Sequence, residues 1–386
     1  MAGIVIVGGG VIGSSIAYYL RCAGADVTVI EPDPTYEFAA TPRAIGGIRM
    51  LHGVRENVEM SRYGYQVFRD FKRHVSGGSV DFDPAFREVG YLFMVAGPAA
   101  ISALERSAEM QRALGVDVTI LGRSELGARY PSFAFPGVDA AAYSPADGQI
   151  DPNAALMGYR RAAQGRGAVY LQDRVCGIDV VRGAVSAVRL ASGASLATRQ
   201  VVNAANCWAP EVCAMVGMPV PIAPMRRQQF YFTAQSPIEP IPVMREMGGF
   251  VLRPEREGYL TGVTRFKEPR GFNWTLEHEL FEEALWPALV ERSRAFEALR
   301  LGRGWVGHYD MNELDGNPVI GPFEEGVDGF FTAAGFSGHG LQHAPAVGRG
   351  VAEWFSRGRY ESIDLTAFSY RRIIDRRPLP DDGPKA

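Results

Sequence analysis

Gly8-x-Gly10-x-x-Gly13 follows an apolar run over 3–7 and opens a stretch of helical spacing that closes at Gly24. Glycines at that spacing permit a tight turn, close approach of backbone to a pyrophosphate, and close packing of helix on strand. The free N–H groups at the helix start face the phosphates. A second strand over 26–30 ends at Glu31, near the roughly 20-residue offset at which a carboxylate accepts hydrogen bonds from a ribose hydroxyl. Strand, turn, helix, strand and acid in that order predict a dinucleotide site built from Gly8, Gly10, Val11, Ile12, Gly13 and Glu31. An acid at position 31 disfavours a 2′-phosphate and leaves both NAD and FAD open.

A second glycine segment, Gly335-Phe-Ser-Gly338-His-Gly340, lies between an apolar run over 329–334 and a helix expected over 346–355. It reads as strand, loop and helix, so it offers a second helix start on which negative charge can rest. Reduced flavin collects such charge at N1 and C2=O, whereas a simple NAD dehydrogenase has no use for the segment. His339 and His343 stand four apart, but the glutamate of a HExxH zinc signature is missing. Gly340 and Pro345 are expected to disrupt a regular helix there, so no metal site is expected. Ser337 with His339 does not form the GxSxG elbow of a hydrolase. Cys207 and Cys213 lack ligand spacing as well.

The surrounding chain must hold both segments. Its 386 residues, 47% apolar and 22% charged, describe a folded globular protein of about two or three domains. A net charge of -3 offers no global attraction for nucleic acid or an anionic membrane. No apolar stretch approaches the roughly 18 residues of a membrane helix, and a strand starting at Gly3 leaves no room for a signal peptide. The four cysteines include no CxxC pair, which suits a reducing compartment; a cytoplasmic location is therefore expected. Lysine occurs only at Lys72, Lys267 and Lys385, so a catalytic lysine would have few candidates. Nothing in the sequence speaks to the oligomeric state.

Helices are expected over 57–74, 98–114 and 149–165, with a short one opened by Ser124 and a helical stretch over 275–301 interrupted by Pro287. Strands are expected over 88–95, 168–171, 200–206, 227–233, 249–253, 259–263 and 304–310, with a hairpin over 175–196. This order predicts an α/β fold with a Rossmann-like nucleotide domain assembled from 1–80, 140–215 and 305–386. A mainly antiparallel substrate domain, 81–139 and 216–304, is inserted into it.

Nearly the whole chain resembles the D-amino-acid oxidase superfamily of FAD proteins, above all the branch of sarcosine oxidase, glycine oxidase and dimethylglycine dehydrogenase. The likeness rests on VIVGGGVIGSSIAYYL with Glu31, Arg43-Ala-Ile-Gly46-Gly47-Ile-Arg49, Asp147-Gly-Gln-Ile-Asp-Pro152, Val202-Asn-Ala-Ala205 before Trp208, Asp315-Gly-Asn-Pro-Val-Ile-Gly321 and GFSGHG at 335–340. The resemblance implies bound FAD, with adenine packing near Val175 and cofactor contacts from Ala205 and Trp208. It implies flavin contacts from Arg43, Ala44, Gly46, Gly47, Gly307 and Gly338, and C2=O contacts from the backbone of His339, Gly340, Leu341 and Gln342.

The chain also departs from that family. Covalent flavin in sarcosine oxidase relatives uses a cysteine where Gly307 stands, and dimethylglycine dehydrogenase relatives use a histidine in the loop that here reads Thr41-Pro-Arg43. The resemblance thus implies noncovalent FAD. Gln342 replaces a carboxylate-binding lysine, the strand at 259–262 lacks the oxygen-activating lysine, and Tyr309 stands where glycine oxidase relatives carry an arginine.

Arg49 follows the ring-facing loop and is the expected clamp for a substrate carboxylate, although an arginine there equally suits a structural ion pair. Tyr259 and Tyr309 are expected to donate to the carboxylate or close over the flavin, with buried packing as the alternative. Gln342 is the fourth expected catalytic residue; Arg253 and Arg265 are weaker candidates, and His52 reads as a polar loop residue. The implied function is oxidation of a secondary or tertiary amine, an N-substituted glycine or another small amino acid. Hydride passes to flavin N5, the imine is hydrolysed, and oxygen or another acceptor takes the electrons. Two alternatives stay open: a dehydrogenase that bypasses oxygen, and a noncatalytic FAD protein of the kind that assists assembly of a respiratory complex.

Overall fold

The structure, a computed structural model, describes residues 3–76, 82–324, 326–381 and 383. The domain limit expected at 80/81 and the last three residues of the tail lie outside the described residues.

Ile4–Val7 contains no polar side chain, so it is stable as a strand only with both faces covered. It runs parallel to Val27–Glu31 on one side and Val201–Asn203 on the other. These form the middle of a six-stranded sheet ordered Val319–Pro322, Phe330–Ala334, Val201–Asn203, Ile4–Val7, Val27–Glu31, Val169–Gln172. Only Val319–Pro322 is antiparallel to its neighbour. Helices Val11–Cys22, Pro152–Gly165 and Gly340–Arg357 supply the apolar residues that cover one face of this sheet. Close packing of the first and last of these depends on Gly348, where a Cβ would run into Ser15 and Tyr19. The Ser15 hydroxyl donates to Ala344 O at 2.7 Å across the same seam.

A second, eight-stranded sheet is ordered Leu299–Asn312, Ile222–Ala234, Gly258–Val263, Phe250–Glu255, Val243–Glu246, Tyr91–Val95, Ala140–Ser144, Thr119–Gly122. It is antiparallel except where Val243–Glu246 runs beside Tyr91–Val95. The large sheet takes in Ala140–Ser144 and the whole of Leu299–Asn312, segments that the sequence reading divides differently at 140 and at 305. A small sheet joins Gly47–Ile48, Gly148–Gln149 and Arg87–Glu88.

Three expected elements need correction. The helix expected over 57–74 divides at Asp70 into Arg55–Arg69 and Phe71–Ser76. The helix expected over 275–301 breaks into His278–Leu280, a π-helical turn Phe281–Leu285 and Trp286–Arg292, while 299–301 already belong to a strand. Pro287 has no N–H to give to the carbonyl four residues back, and the turn before it widens. The C-terminal helix, expected to be disrupted at Pro345, instead runs from Gly340 to Arg357 with Pro345 inside it. Pro345 sits in the second turn and forfeits a single internal bond. Helix Arg55–Arg69 packs close beside it, since a Cβ on Gly64 would strike Gln342 O. Among the described residues no helix is long and apolar enough to cross a membrane.

Candidate active site

The carboxyl ends of Ile4–Val7, Val27–Glu31 and Val201–Asn203 open on a crevice, the place where parallel sheets take ligands. A cavity of about 580 Å³ starts there and extends to the large sheet. Gly8, with φ of 98°, turns the chain away from Ala204. Gly13 does not line the cavity; it lies under the turn, where a Cβ would fall on Gly8 O. At Gly8 and Gly10 the turn therefore presents backbone to the crevice, with Val11 and Ile12 beside it. Glu31 Oε2 accepts from Gly9 N at 2.7 Å and Oε1 from Asp33 N at 3.0 Å. Burial raises the Glu31 pKa, and those two N–H groups oppose the rise.

Val175, Ala205 and Trp208 line the cavity beside Gly8, Gly10, Val11, Ile12 and Glu31, and Ala44, Gly46, Gly47 and Gly307 line it toward the large sheet. Arg43 lines it too, but its guanidinium is turned aside. It donates to Glu37 O at 2.6 Å and Val306 O at 2.5 Å and lies 5.0 Å over the Trp274 ring. Gly307 faces Arg43 closely enough that a Cβ there would sit 3.1 Å from Arg43 Cβ.

The second glycine segment is pinned by Asp310. Its Oδ2 accepts from Gly335 N at 2.7 Å and Phe336 N at 3.0 Å. Burial pushes this carboxyl up to about 6, against those bonds. The turn passes through Gly335 and Gly338 at φ of 78° and 92°. A Cβ on Gly338 would enter the Tyr309 ring. His339, Gly340, Leu341 and Gln342 then start the helix at the cavity wall.

Arg49, Tyr309 and His339 line this cavity and also a second one of about 420 Å³, so the two spaces meet at these residues. Arg49 donates to Leu51 O and, at 3.1 Å, to His339 Nε2. Because arginine only donates, His339 Nε2 is the acceptor and its ring proton sits on Nδ1, which has no protein partner. Burial and the neighbouring Arg49 hold His339 well below its usual pKa. Gln342 accepts from Arg49 N at 2.9 Å. His52 lies in a loop, as expected, but it is buried among His339 and His343, at ring separations of 5.1 and 5.5 Å. Burial, with Arg49 nearby, lowers its pKa far below 6.5 and brings that of His343 to about 3. Among the described residues no cluster has the makings of a metal site.

Tyr259 reaches neither cavity. It stacks on Phe232 at 5.4 Å and meets Phe296 edge-on at 5.4 Å, because its place opposite Phe232 puts it on the face covered by the helical segments at 278–296. Arg253 is held by Glu255 and Gln149, and Arg265 pairs at the surface with Glu277. The large-sheet arginines that line the cavity are Arg227 and Arg245, both of which the sequence reading passed over. Arg227 lies 5.1 Å over the Tyr309 ring. Burial alone would raise the Tyr309 pKa, but Arg227 and Arg245 outweigh it and bring the net shift below the usual value. Strand alternation was the available signal: Arg226 and Arg227 point to opposite faces, and Gly307 opposite Arg227 leaves room.

The model of the DAO family, FAD dependent oxidoreductases, matches residues 3–354. FAD-dependent oxidoreductase domain-containing protein 1 of Xenopus laevis is 33% identical over 98% of this chain and 84% of its own. The mitochondrial dimethylglycine dehydrogenase of Homo sapiens is 25% identical over 95% of this chain and 44% of its own. Among solved structures, L-proline dehydrogenase from P. horikoshii superposes with a TM-score of 0.87 at 28% identity, covering 98% of this chain and 99% of that one. Glycine oxidase from Geobacillus kaustophilus shares the fold at a TM-score of 0.82 and 23% identity, over 96% and 98% of the two chains. The glycine turns whose Cβ positions are filled by neighbouring atoms fit the cofactor that the family's description carries: the chain belongs to the DAO family of FAD-dependent oxidoreductases, with FAD as its cofactor.

Proposed function

We propose that this protein oxidises the carbon next to nitrogen in a secondary or tertiary amine that carries a carboxylate, such as an N-substituted glycine or another small amino acid. The observation that carries this reading is Arg49, placed with His339 where the glycine-lined cavity meets the second one. Gly8, Gly10, Val11, Ile12 and Glu31 would hold the pyrophosphate and ribose of FAD. Val175, Ala205 and Trp208 would take the adenine side, and Ala44, Gly46, Gly47, Gly307 and Gly338 to Gln342 the flavin. Nothing at Gly307 can form a covalent link. When bound, FAD supplies a two-electron acceptor for the carbon–hydrogen bond.

The protein's own contribution is placement and charge. Arg49 donates to the carboxylate. His52, His339 and His343 are held neutral by burial and by Arg49. They are too weakly basic to take a proton from an ammonium near neutral pH, so the amine reacts as the neutral species and no general base is needed. Strand Gly258–Val263 carries no lysine, which favours an electron acceptor other than oxygen. Product analysis tests the reading: aerobic turnover with dichlorophenolindophenol present as an alternative two-electron acceptor should yield a carbonyl compound and a smaller amine in equal amounts. Hydrogen peroxide below one equivalent would identify a non-oxygen acceptor, and absence of both products with every carboxylated amine would overturn the assignment.

A further inference from the structure

The large sheet buries several arginines, and their partners differ in kind. Arg226 is bound by Glu268 and Glu277, and Arg253 by Glu255. Outside the sheet, half-buried Arg292 is held by Glu246 at 2.6 Å and buried Arg372 lies 3.5 Å from Asp315. Taking a guanidinium out of water is costly unless an anion accompanies it, and these pairs meet that requirement. At the cavity the pattern changes. Arg227 is 4% exposed and donates to Val263 O at 2.6 Å; its face rests on Tyr309, and its Nε has no partner. Arg49 is satisfied by a carbonyl and a neutral imidazole.

The acids within electrostatic reach do not close the gap. Glu268 is engaged with Arg226. Asp147 is buried behind Arg49, accepts from Met50 N at 3.0 Å, and is pushed by burial up to about 7, so it is a weak counterion. Arg245 adds a further positive charge beside Tyr309. The site thus concentrates positive charge at two places, Arg49 beside His339 and Arg227 beside Tyr309, that line one cavity.

We infer that the cavity takes a ligand with two carboxylates, one at Arg49 and one at the Arg227–Arg245–Tyr309 group, so that the substrate is an amino or imino dicarboxylic acid. The inference rests on the amine-oxidation reading for the word substrate, but not for the two anion positions. A guanidinium presents paired donors to a planar carboxylate, and the tyrosine hydroxyl between two arginines supplies a further donor.

The test uses the FAD-loaded protein and a redox-inert pair in which sulfur replaces the amine nitrogen: 2,2′-thiodiacetate, with two carboxylates, and methylthioacetate, with one. Titration calorimetry should show the dicarboxylate binding about 100-fold more tightly, a typical worth for a buried, hydrogen-bonded charge pair. Arg227→Met should collapse that ratio toward one while methylthioacetate affinity holds, and Arg227→Lys should keep part of it. Circular dichroism and flavin content verify that the variants fold. Equal affinity for the two compounds overturns the inference. So does a ratio unchanged in Arg227→Met, or a variant in which only the flavin potential moves. A strong dicarboxylate preference in a protein whose flavin no amino dicarboxylate reduces would support the two anion positions and overturn amine oxidation.

Discussion

Arg49 and Gln342, 293 residues apart, are joined by a 2.9 Å hydrogen bond from the Arg49 backbone N–H to the Gln342 side-chain oxygen. That bond fixes which end of the amide is which, so Gln342 Nε2 is the donor to His52 Nε2 at 2.9 Å. His52 must then accept and be neutral, as its burial also requires. The proposed carboxylate clamp is thereby fastened to the start of the helix that faces the cofactor cavity.

Replacing Gln342 with Leu removes an acceptor and a donor from a buried site. His52 Nε2 keeps Ser61 Oγ at 3.1 Å, so the Arg49 N–H is the group that loses its acceptor; one unsatisfied group costs about 1–3 kcal/mol, and denaturant unfolding should show a loss in that range. The segment carrying Arg49 is then released, and KM for a carboxylated amine should rise by a larger factor than kcat falls. A variant with native stability and unchanged KM would remove Gln342 from the positioning of Arg49.

Gly338 has φ of 92°, and any Cβ there would enter the Tyr309 ring. Gly338→Ala should cost about 1–3 kcal/mol through backbone strain alone, and more through displacement of Tyr309. FAD retained after gel filtration should fall in parallel. Gly248→Ala, at a position with open space and no left-handed backbone, is the control and should retain FAD as the parent does.

Asp147 has its carboxyl raised from 3.8 to about 7 by burial, partly opposed by the Met50 N–H and by Arg49. A raised folded-state value means the folded protein holds this proton more tightly than the unfolded chain. Its contribution to stability is therefore full below about pH 4 and is lost as pH rises toward 7. Asp147→Asn cannot lose that proton. Unfolding free energies measured from pH 4 to pH 8 should show the variant gaining on the parent through this window and running parallel above it. A difference independent of pH would contradict the assignment.

The glycine turns were legible in the sequence because their requirement is local: a positive φ, or a neighbour's carbonyl where a Cβ would stand, excludes other residues at Gly8, Gly13 and Gly338. The nucleotide strands were legible for the same reason, being short apolar runs between turns. Arg227 and Arg245 were not, because their contact with Tyr309 spans 82 and 64 positions of chain, and alternation, which puts Arg226 and Arg227 on opposite faces, does not say which face borders the cavity. Tyr259 went the other way. Its residue type suited the chemistry, but Phe232 and Phe296 claim its ring for the core of the large sheet. Pro345 misled because a proline costs a helix little so near its start.

The measurement that bears most directly on the central claim is an anaerobic visible spectrum of the FAD-loaded protein. Sarcosine, dimethylglycine, iminodiacetate, glycine, D-alanine and proline would be added in turn to the parent and to Arg49→Met. The account predicts that at least one carboxylated amine bleaches the flavin bands of the parent at saturating concentration. Arg49→Met should need at least about tenfold more of it, a loss of roughly 1.4 kcal/mol or greater. A fully loaded parent whose spectrum none of these compounds changes would contradict the account.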